Sequence, residues 1–371
     1  MIIRPVAPSD LEGLYQIAEE SGPGFTSLMP DRDALARKVE HARASFSRPV
    51  GLPSDEHYLF VLEDTETGAL MGTTGIDAVS GQVRPLYHFR HSRQLHHSHF
   101  LGLRRQFHTL TRCNHYRGCT EICSLYLRPA FRRANAGKLL SKVRFLFMAQ
   151  YPERFTPTVI AEMRGVSDHL GRSPFWNWLR RHFVDLEFAS VTQLVGAGHT
   201  EFIEELMPAG PLYTHLMDDA ARAVIGQVHP DTRPALAMLE KEGFRHRGFV
   251  DLFDAGPTVE CPLKDIASVR AARPYQLMTG TARPEHRSGQ PVIIANGRTE
   301  GFRATITDQC RVCPEEHTVT VPDALARRLD LSEQAEVWLL PLTPDQARRP
   351  QPATQSHSLS AEGYGARPYA L

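Results

Sequence analysis

The sequence predicts a mixed α/β (α+β) fold made of two related units and a small β-rich appendage at the C-terminal end. Residues 121–148 identify the first unit, because a half-buried strand pattern passes into a basic loop and then into the apolar spacing of a helix. Residues 201–263 repeat part of this order, and beyond residue 276 short β segments follow with one helix. With 371 residues, 42% hydrophobic and 23% charged, the chain can form several domains.

Bulk properties exclude several classes of function. The formal net charge is zero, so the composition indicates neither a nucleic acid nor an anionic membrane as a partner. No apolar run approaches the ~20 residues that span a bilayer. Residues 1–10 read as a strand followed by a helix start, not as a secretory signal. Six cysteines in so long a chain do not make a disulfide framework. We therefore expect a cytoplasmic protein.

The first unit has the order strand, helix, helix, hairpin, strand–loop–helix. Before the central segment we expect strands at 1–6, 58–62 and 70–78, a helix after the capping-box spacing of Ser9 and Glu12, and a helix at 31–44. After it we expect a buried strand at 158–163 and a helix at 174–183 whose aromatic rings lie in the core. Strict alternation on the central strand would place Ile122, Ser124 and Tyr126 on one face and Cys123, Leu125 and Leu127 on the other.

The loop of the central segment has the composition of a diphosphate-binding loop. Free backbone N–H groups of a loop and of the first helical turn favour an anion, and the helix dipole adds partial positive charge. Arg132, Arg133 and Lys138 add full positive charges. Asn135 and Gly137 allow a close approach of the backbone, because glycine, and after it asparagine, best tolerates a positive φ.

This loop resembles the acyl-CoA motif of the GNAT superfamily of N-acyltransferases, Arg/Gln-x-x-Gly-x-Gly/Ala, and reads Arg132-x-x-Asn135-x-Gly137 here. The run ALAMLEKEGF (235–244) resembles the late GNAT helix, with Leu239 in place of a tyrosine that often serves as general acid. The resemblance implies two GNAT-like acyl-CoA N-acyltransferase units in tandem. It also implies an oxyanion site at backbone N–H groups near Leu125 and Leu127, where a bulge splays the strand.

We expect four parts along the chain. They are a GNAT-like acyl-CoA-binding domain at 1–190, a second, partial GNAT-like domain at 191–276, a β-rich domain at 277–342, and a disordered tail at 343–371, which is rich in Pro, Gln and Ser. Within the second domain we expect a strand at 223–228 before the turn that begins at His229.

Histidine and cysteine are dense between residues 88 and 123, which suggests a zinc site. The spacings do not support one, since no pair of Cys-x₂₋₄-Cys units with a matching histidine pair is present. Cys310-x-x-Cys313 also lacks a partner pair, so we expect two free thiols there. We predict no metal and no permanently bound cofactor.

Longer runs resemble the arginine and arginine/ornithine N-succinyltransferases, among them VIAEMRGVSDHLGRSPFW (159–176) and VIGQVHPDTRPALAMLEKEGFRHR (224–247). This resemblance implies transfer of the succinyl group of succinyl-CoA to the α-amine of L-arginine, which gives CoA and N2-succinyl-L-arginine, the first step of arginine catabolism. It implies that Leu125 contacts succinyl-CoA and that His229 is the proton donor. Some relatives imply an oligomer, with a paralogous subunit as one possibility.

The reaction needs further groups that the residue types suggest. A guanidinium prefers a bidentate carboxylate, and Glu162, Asp168, Asp251 and Asp254 lie near predicted strand ends. The succinyl carboxylate needs a cation, for which Arg164 is the candidate. His229 by its local pattern is a turn residue, but its unperturbed pKa near 6.5 suits an acid. We expect direct transfer in a ternary complex. L-Ornithine as acceptor, and a non-catalytic arginine or CoA sensor, remain alternatives.

Overall fold

The computed structural model describes residues 1–22, 25–82, 85–133, 135–169, 171–278 and 290–342. The expected disordered tail at 343–371 lies outside these residues. Among the described helices, none has both the length and the apolar character needed to cross a membrane. All six cysteines are free thiols, including Cys310 and Cys313. The mixed α/β class is confirmed.

One continuous sheet runs through the described residues and joins all the expected parts. Its order is β14-β15-β11-β16-β12-β13-β1-β2-β3-β6-β7-β10-β9-β4-β5-β8. The strands are β1 Ile2–Pro5, β2 His57–Glu63, β3 Leu70–Asp77, β4 His88–Ser98, β5 Leu103–Cys113, β6 Thr120–Leu127, β7 Thr158–Glu162, β8 Leu212–Tyr213, β9 Arg245–Asp251, β10 Pro257–Pro262, β11 Arg273–Met278, β12 Val292–Asn296, β13 Ala304–Thr307, β14 Arg311–Cys313, β15 Thr318–Thr320 and β16 Glu336–Pro341.

Helices cover both faces of this sheet. They are α1 Leu11–Ser21, α2 Arg32–Ser47, α3 Ala136–Gln150, α4 Pro174–Leu179, α5 Phe188–Ala197, α6 Glu201–Leu206, α7 Asp219–Ala223, α8 Arg233–Glu242, α9 Ala267–Ala271 and α10 Asp323–Arg328. Local capping sets several starts: the Asp31 carboxylate accepts from the Ala34 N–H at 2.8 Å at the beginning of α2.

Three apolar clusters hold the layers together around the central strands. Helix α3 packs on one face of β2, β3, β6 and β7, where Phe60, Phe147 and Phe302 stack edge to face with centroids 5.3–5.4 Å apart. Helices α1 and α2 cover the other face of β1–β3. The rings of α4 pack with β4 and β9, so the expected core role of Phe175, Trp176 and Trp178 is confirmed.

The β-rich part extends the first unit's sheet. Strand β13 pairs with β1 at Ile3↔Ala304, and Phe302 completes the cluster under α3. Likewise β10 pairs with β7 and β9 with β4, which brings the second half of the chain beside the central strands. The expected domain boundaries stay predictions.

The strand expected at 223–228 is wrong. Helix α7 ends at Ala223, and Gly226 has a φ of +73°, so the segment turns instead of extending. The Asp218 carboxylate accepts from the Ala221 N–H at 2.8 Å and starts this helix. Among the described residues an isolated bridge, Gly165↔Val228, joins the segment to the residues after β7, and the Gly226 N–H donates to the Ala255 carbonyl at 2.8 Å.

Candidate active site

A gap opens between β6 and β7 at the centre of the sheet. The two parallel strands pair only at Thr120↔Val159 and Glu121↔Ile160. Beyond this point β6 continues to Leu127 with β3 on its other side. One edge of β6 therefore faces an opening, which offers backbone groups to an extended ligand.

A bulge shapes the edge of β6 at this opening. Thr73 pairs with Tyr126 and Gly75 with Cys123, so Thr74 faces two residues, Ser124 and Leu125. Ser124 adopts a φ of +53°, and its carbonyl accepts from the Thr73 hydroxyl at 2.8 Å.

The bulge changes which side chains share a face. Ile122, Leu125 and Leu127 all contact the cluster under α3, whereas Tyr126 contacts the cluster of α1 and α2. The strict alternation expected from the sequence is wrong for this strand, because the extra residue shifts the pattern by one.

The N–H group of Leu127 points into the gap. The Arg128 N–H donates to the Met71 carbonyl at 2.9 Å, which flanks the pair Leu127↔Gly72. In an antiparallel ladder this makes the pair a non-hydrogen-bonded one, so the Leu127 N–H is directed away from β3. Leu125 is one of the two bulge residues, so alternation does not fix the direction of its N–H group. Of the two expected oxyanion positions, the pairing places the Leu127 N–H at the opening.

The basic loop has the backbone expected of an anion site. Asn135 has a φ of +68° and makes no side-chain cap at the start of α3, where the Ala136 N–H donates to the Arg133 carbonyl at 3.3 Å. A Cβ on Gly137 would meet only Leu127 Cδ2, at 3.8 Å. Arg132 and Lys138 are exposed, whereas Arg133 donates to Asp64 Oδ2 at 3.0 Å. Two of the three expected cations are thus available without breaking an ion pair.

His229 lies beside the residues that follow the C-terminal end of β7. The neighbouring bridge Gly165↔Val228 and a 2.8 Å bond from its own N–H to the Arg164 carbonyl fix its backbone. The imidazole Nδ1 accepts from the Asp231 N–H at 3.2 Å, so the neutral ring carries its proton on Nε2. Burial, followed by the Arg164 cation, lowers the pKa of His229 below its ordinary value.

Arg164 is half-buried beside His229. Its Nη2 donates to the Ser167 hydroxyl at 3.1 Å, and its buried Nε has no hydrogen-bond partner among the described residues. Burial lowers the pKa of this guanidinium. The Arg164 guanidinium, with one N–H donor unused, can therefore bind a carboxylate beside His229.

Three carboxylates lie on the face of the sheet opposite α3, and the surface that they line is called the carboxylate cleft below. Asp77, Glu121 and Glu162 point to this face from β3, β6 and β7, as the pairings Asp77↔Glu121 and Glu121↔Ile160 require. Asp77 keeps 37% and Glu162 29% of the side-chain surface exposed, so solutes can reach them. Burial, then Glu162 and Asp77, raises the pKa of Glu121 well above its ordinary value.

Two buried histidines border this carboxylate cleft. His57 Nδ1 contacts Asp77 Oδ1, and His88 Nε2 lies 2.7 Å from Glu162 Oε1, in an orientation that does not make a hydrogen bond. Burial raises the pKa of Asp77, but His57, Lys38 and Cys123 together outweigh it and leave a net lowering. The Thr258 hydroxyl, beside Glu162 on β10, is buried without a partner among the described residues. Polar groups with unused bonding capacity therefore surround the carboxylates.

The other carboxylates considered from the sequence have structural contacts. Asp168 accepts from Arg172 Nε at 2.7 Å. Asp251 accepts from the N–H groups of Phe253 and Asp254, and Asp254 accepts from those of Gly165 and Gly256. Asp251 and Asp254 thus stabilise the turn after β9.

One cluster has donors suited to a metal. Atoms of His57, Asp77 and Cys123 lie within 4.8 Å of one another, a group that sequence spacing does not reveal because it joins β2, β3 and β6. Asp77 is already engaged by His57, and Cys123 Sγ lies 3.5 Å from its second oxygen. The expected absence of a metal stays a prediction.

Comparisons with known proteins identify the family of this chain. Residues 1–268 match the family model described as arginine N-succinyltransferase beta subunit, and residues 276–341 match the model of that subunit's C-terminal domain. The arginine N-succinyltransferase of Enterobacter sp. (strain 638) is 42% identical over 315 residues, which cover 84% of this chain and 90% of the relative. That of Shigella sonnei (strain Ss046) is 41% identical over 307 residues, or 82% and 88%.

A solved structure has the same fold. Subunit AI of arginine/ornithine succinyltransferase from Pseudomonas aeruginosa superposes with a TM-score of 0.83 and 33% identity, over 92% of this chain and 99% of that one. The resemblance expected from the sequence is thereby confirmed: the chain belongs to the arginine N-succinyltransferase family and is an acyltransferase.

Proposed function

We propose that this protein transfers the succinyl group of succinyl-CoA to the α-amine of L-arginine, releasing CoA and N2-succinyl-L-arginine. One structural relationship carries the proposal: the gap between β6 and β7 joins the basic loop to the carboxylate cleft. An anionic donor and a cationic acceptor would thus meet at the bulge of β6. Succinyl-CoA is a co-substrate, and its thioester needs no bound cofactor.

On the donor side, the loop would hold the diphosphate of CoA. Arg132, Arg133 and Lys138 supply charge, and no side chain of Asn135 caps the start of α3, where the backbone of Gly137 can approach the ligand. The acyl carbonyl would lie against the N–H groups of Leu125 and Leu127, which stabilise the oxyanion of the tetrahedral intermediate.

On the acceptor side, the carboxylate cleft would bind the cationic amino acid. Glu162 is the proposed partner of the guanidinium, with Asp77 and Glu121 on the same face. A carboxylate with a raised pKa, such as Glu121, suits removal of a proton from the α-ammonium group near neutral pH. Arg164 would bind a substrate carboxylate, and both substrates carry one.

His229 is the proposed proton donor to the departing thiolate. In the neutral ring Nδ1 accepts from the Asp231 N–H and the single proton lies on Nε2, so the ring takes up a second proton and acts as the imidazolium. The amine attacks the thioester directly, and no acyl-enzyme is required. Loss of the C–S bond then produces the CoA thiolate that His229 protonates.

The test is release of free thiol from succinyl-CoA with L-arginine, with acetyl-CoA as the control donor. We expect arginine-dependent release by the wild type and a rise of at least about tenfold in the KM for arginine in Glu162→Gln, since a charged hydrogen-bond partner is lost. The matched control Glu40→Gln changes an exposed carboxylate that pairs with Arg43 on α2. No release by the wild type, or equal effects of both substitutions, would contradict the proposal.

L-Ornithine is the second candidate acceptor, since the Pseudomonas aeruginosa neighbour is named an arginine/ornithine succinyltransferase. The cleft has carboxylates for either cation, so relative kcat/KM values decide. A higher value for ornithine would replace arginine as the principal acceptor.

We also propose that the active protein is an oligomer, with a paralogous subunit as one possible partner. The matched models and the solved neighbour are named as subunits. The tip of the β4–β5 hairpin exposes Leu95, Phe100, Leu101 and Leu103, an apolar set of the kind that interfaces cover. Light scattering on the purified chain tests this, and a monomer with full activity would contradict it.

A further inference from the structure

Arg144 is a buried guanidinium with no counter-ion among the described residues. Its side chain is 2% exposed within the apolar cluster under α3. It donates from Nε to the Ser141 carbonyl at 3.1 Å and from Nη2 to the Ser141 hydroxyl at 3.3 Å. No described carboxylate lies within 4 Å of it. Glu242 is the carboxylate whose charge raises the pKa of Arg144, and it is itself bound to Lys142 and Ser268. Burial lowers the pKa of Arg144 to about 10.

An arginine has five N–H donors; in Arg144 one on Nε and one on Nη2 bind Ser141, and the guanidinium carbon lies 5.6 Å from the centre of the Phe145 ring, with no anion beside it among the described residues. Burying a charge without an anion costs several kcal/mol in proteins. The fold therefore keeps an unfavourable group, and such groups persist where a ligand completes them.

Contacts along α3 locate Arg144 at the bulge of β6. Leu140 lies over Gly72 of β3, since a Cβ on Gly72 would meet Leu140 Cδ1. Two turns later, the Phe147 ring packs on Phe60 of β2, which pairs with Thr74 of β3. Arg144 lies between these helix positions, one turn after Leu140 on the side that faces the sheet. It is thus level with Thr74, the residue that faces the bulge at Ser124 and Leu125.

Thr74 provides the second, independent observation. Its side chain is 0% exposed, and its hydroxyl has no hydrogen-bond partner among the described residues. It points to the α3 side, as Ile76 does two residues later. A buried hydroxyl and a buried guanidinium thus lie at the same level beneath the bulge, where the proposed thioester site lies.

We infer that Arg144 and Thr74 form the receptor for the carboxylate at the end of the donor's acyl chain. This inference rests on the proposed succinyl-CoA donor. A four-carbon acyl group whose carbonyl lies at the Leu125 N–H would pass through the gap toward α3, where its carboxylate completes the Arg144 guanidinium. Arg164, on the other side of the gap beside His229, is then left for the α-carboxylate of the acceptor amino acid.

The test compares succinyl-CoA with butyryl-CoA, which has the same chain length but a methyl group in place of the carboxylate. We expect Arg144→Met to lower kcat/KM for succinyl-CoA about 10- to 100-fold and to leave butyryl-CoA unchanged or improved, because only succinyl-CoA loses a charged hydrogen bond. Calorimetric Kd values for the two donors should show the same selectivity without turnover. Thr74→Val should lower the preference for succinyl-CoA about threefold to tenfold.

Stability separates this role from a structural one. Removing an unpaired buried charge should leave the Tm of the ligand-free protein unchanged or raise it, whereas loss of a structural arginine lowers it. Equal losses with both donors, or a selective loss of succinyl-CoA in Arg164→Met, would overturn the assignment. If Arg144→Met does not fold, Thr74→Val decides: an unchanged donor preference refutes the inference. Failure of arginine-dependent turnover in the wild type concerns the proposed function, since donor binding is measured without an acceptor.

Discussion

The backbone N–H of His229 donates to the carbonyl oxygen of Arg164 across 2.8 Å. This bond, with the bridge Gly165↔Val228, ties the turn that carries the histidine to the end of β7. The position of the imidazole is therefore set by the sheet and not by the turn alone. Because β7 also borders the gap, the same strand positions the proposed acid and one wall of the donor site.

Replacing His229 should slow catalysis with little effect on binding. We expect His229→Ala to lower kcat about 10²- to 10⁴-fold, the usual contribution of a general acid or base, while the KM for succinyl-CoA changes little. Steady-state thiol release measures both. His229→Gln keeps a side chain that can bond to the Asp231 N–H and serves as the matched variant. A fall in kcat of less than about tenfold in both would remove the catalytic role.

Arg164 should control the pH at which His229 loses its proton. A nearby cation disfavours the protonated imidazole, and the Arg164 charge is the second cause of the lowered pKa of His229 after burial. Removing the charge in Arg164→Met should raise that pKa, so the proton-donating form persists to higher pH. The alkaline limb assigned to His229 in the kcat profile should move upward. A limb that stays in place, or survives in His229→Ala, would show that another group titrates.

The loop before α3 tests how far backbone geometry sets CoA affinity. Asn135 has a φ of +68°, a backbone conformation that is strained for residues other than glycine and asparagine. We expect Asn135→Ala to lower the free energy of unfolding by about 1 kcal/mol and to raise the KM for succinyl-CoA, because the N–H groups at the start of α3 lose their alignment. Asn135→Gly should preserve both, as measured by urea unfolding and kinetics. Equal losses in the two variants would instead indicate a direct contact of the amide.

The sequence predicts local features of this fold well and non-local ones poorly. The strand–loop–helix at β6 and α3 and the positive φ of Asn135 follow from residue types that are adjacent in the chain. The bulge at Ser124 does not follow from these residue types, because pairing with β3 creates it, and only the family resemblance implied a bulge in this strand. Residues expected to share one face, Ile122 and Tyr126, therefore lie on opposite faces.

The candidate site shows the same division. His229 and the basic loop belong to contiguous sequence motifs. The carboxylate cleft instead contains Asp77, Glu121 and Glu162, which come from three separate strands. Arg144 looks like an ordinary polar position of a helix, and only its complete burial reveals it. The error at 223–228 could have been recognised from the sequence, because Asp218 is a typical N-cap residue and indicates that a helix begins just after it.

Glu121 should make the protein less stable as pH rises. Burial, Glu162 and Asp77 raise its folded-state pKa well above the unfolded value. Below the unfolded pKa, near 4.3, the carboxyl is protonated in both states, and this contribution to stability is fully present. As pH rises through the folded pKa, the folded protein must hold a charge that the unfolded chain carries more easily, and the contribution is lost. Glu121→Gln removes this titration and should flatten the loss.

The measurement is the free energy of unfolding by urea from pH 5 to pH 8.5. We expect Glu121→Gln to exceed the wild type by a margin that grows with pH, because the amide needs no ionisation and no longer repels Glu162. Glu66→Gln, at an exposed position in the β2–β3 turn, should follow the wild-type curve. Parallel curves for Glu121→Gln and the wild type would mean that Glu121 ionises normally. Glu121 would then have no raised pKa with which to remove a proton from the acceptor near neutral pH.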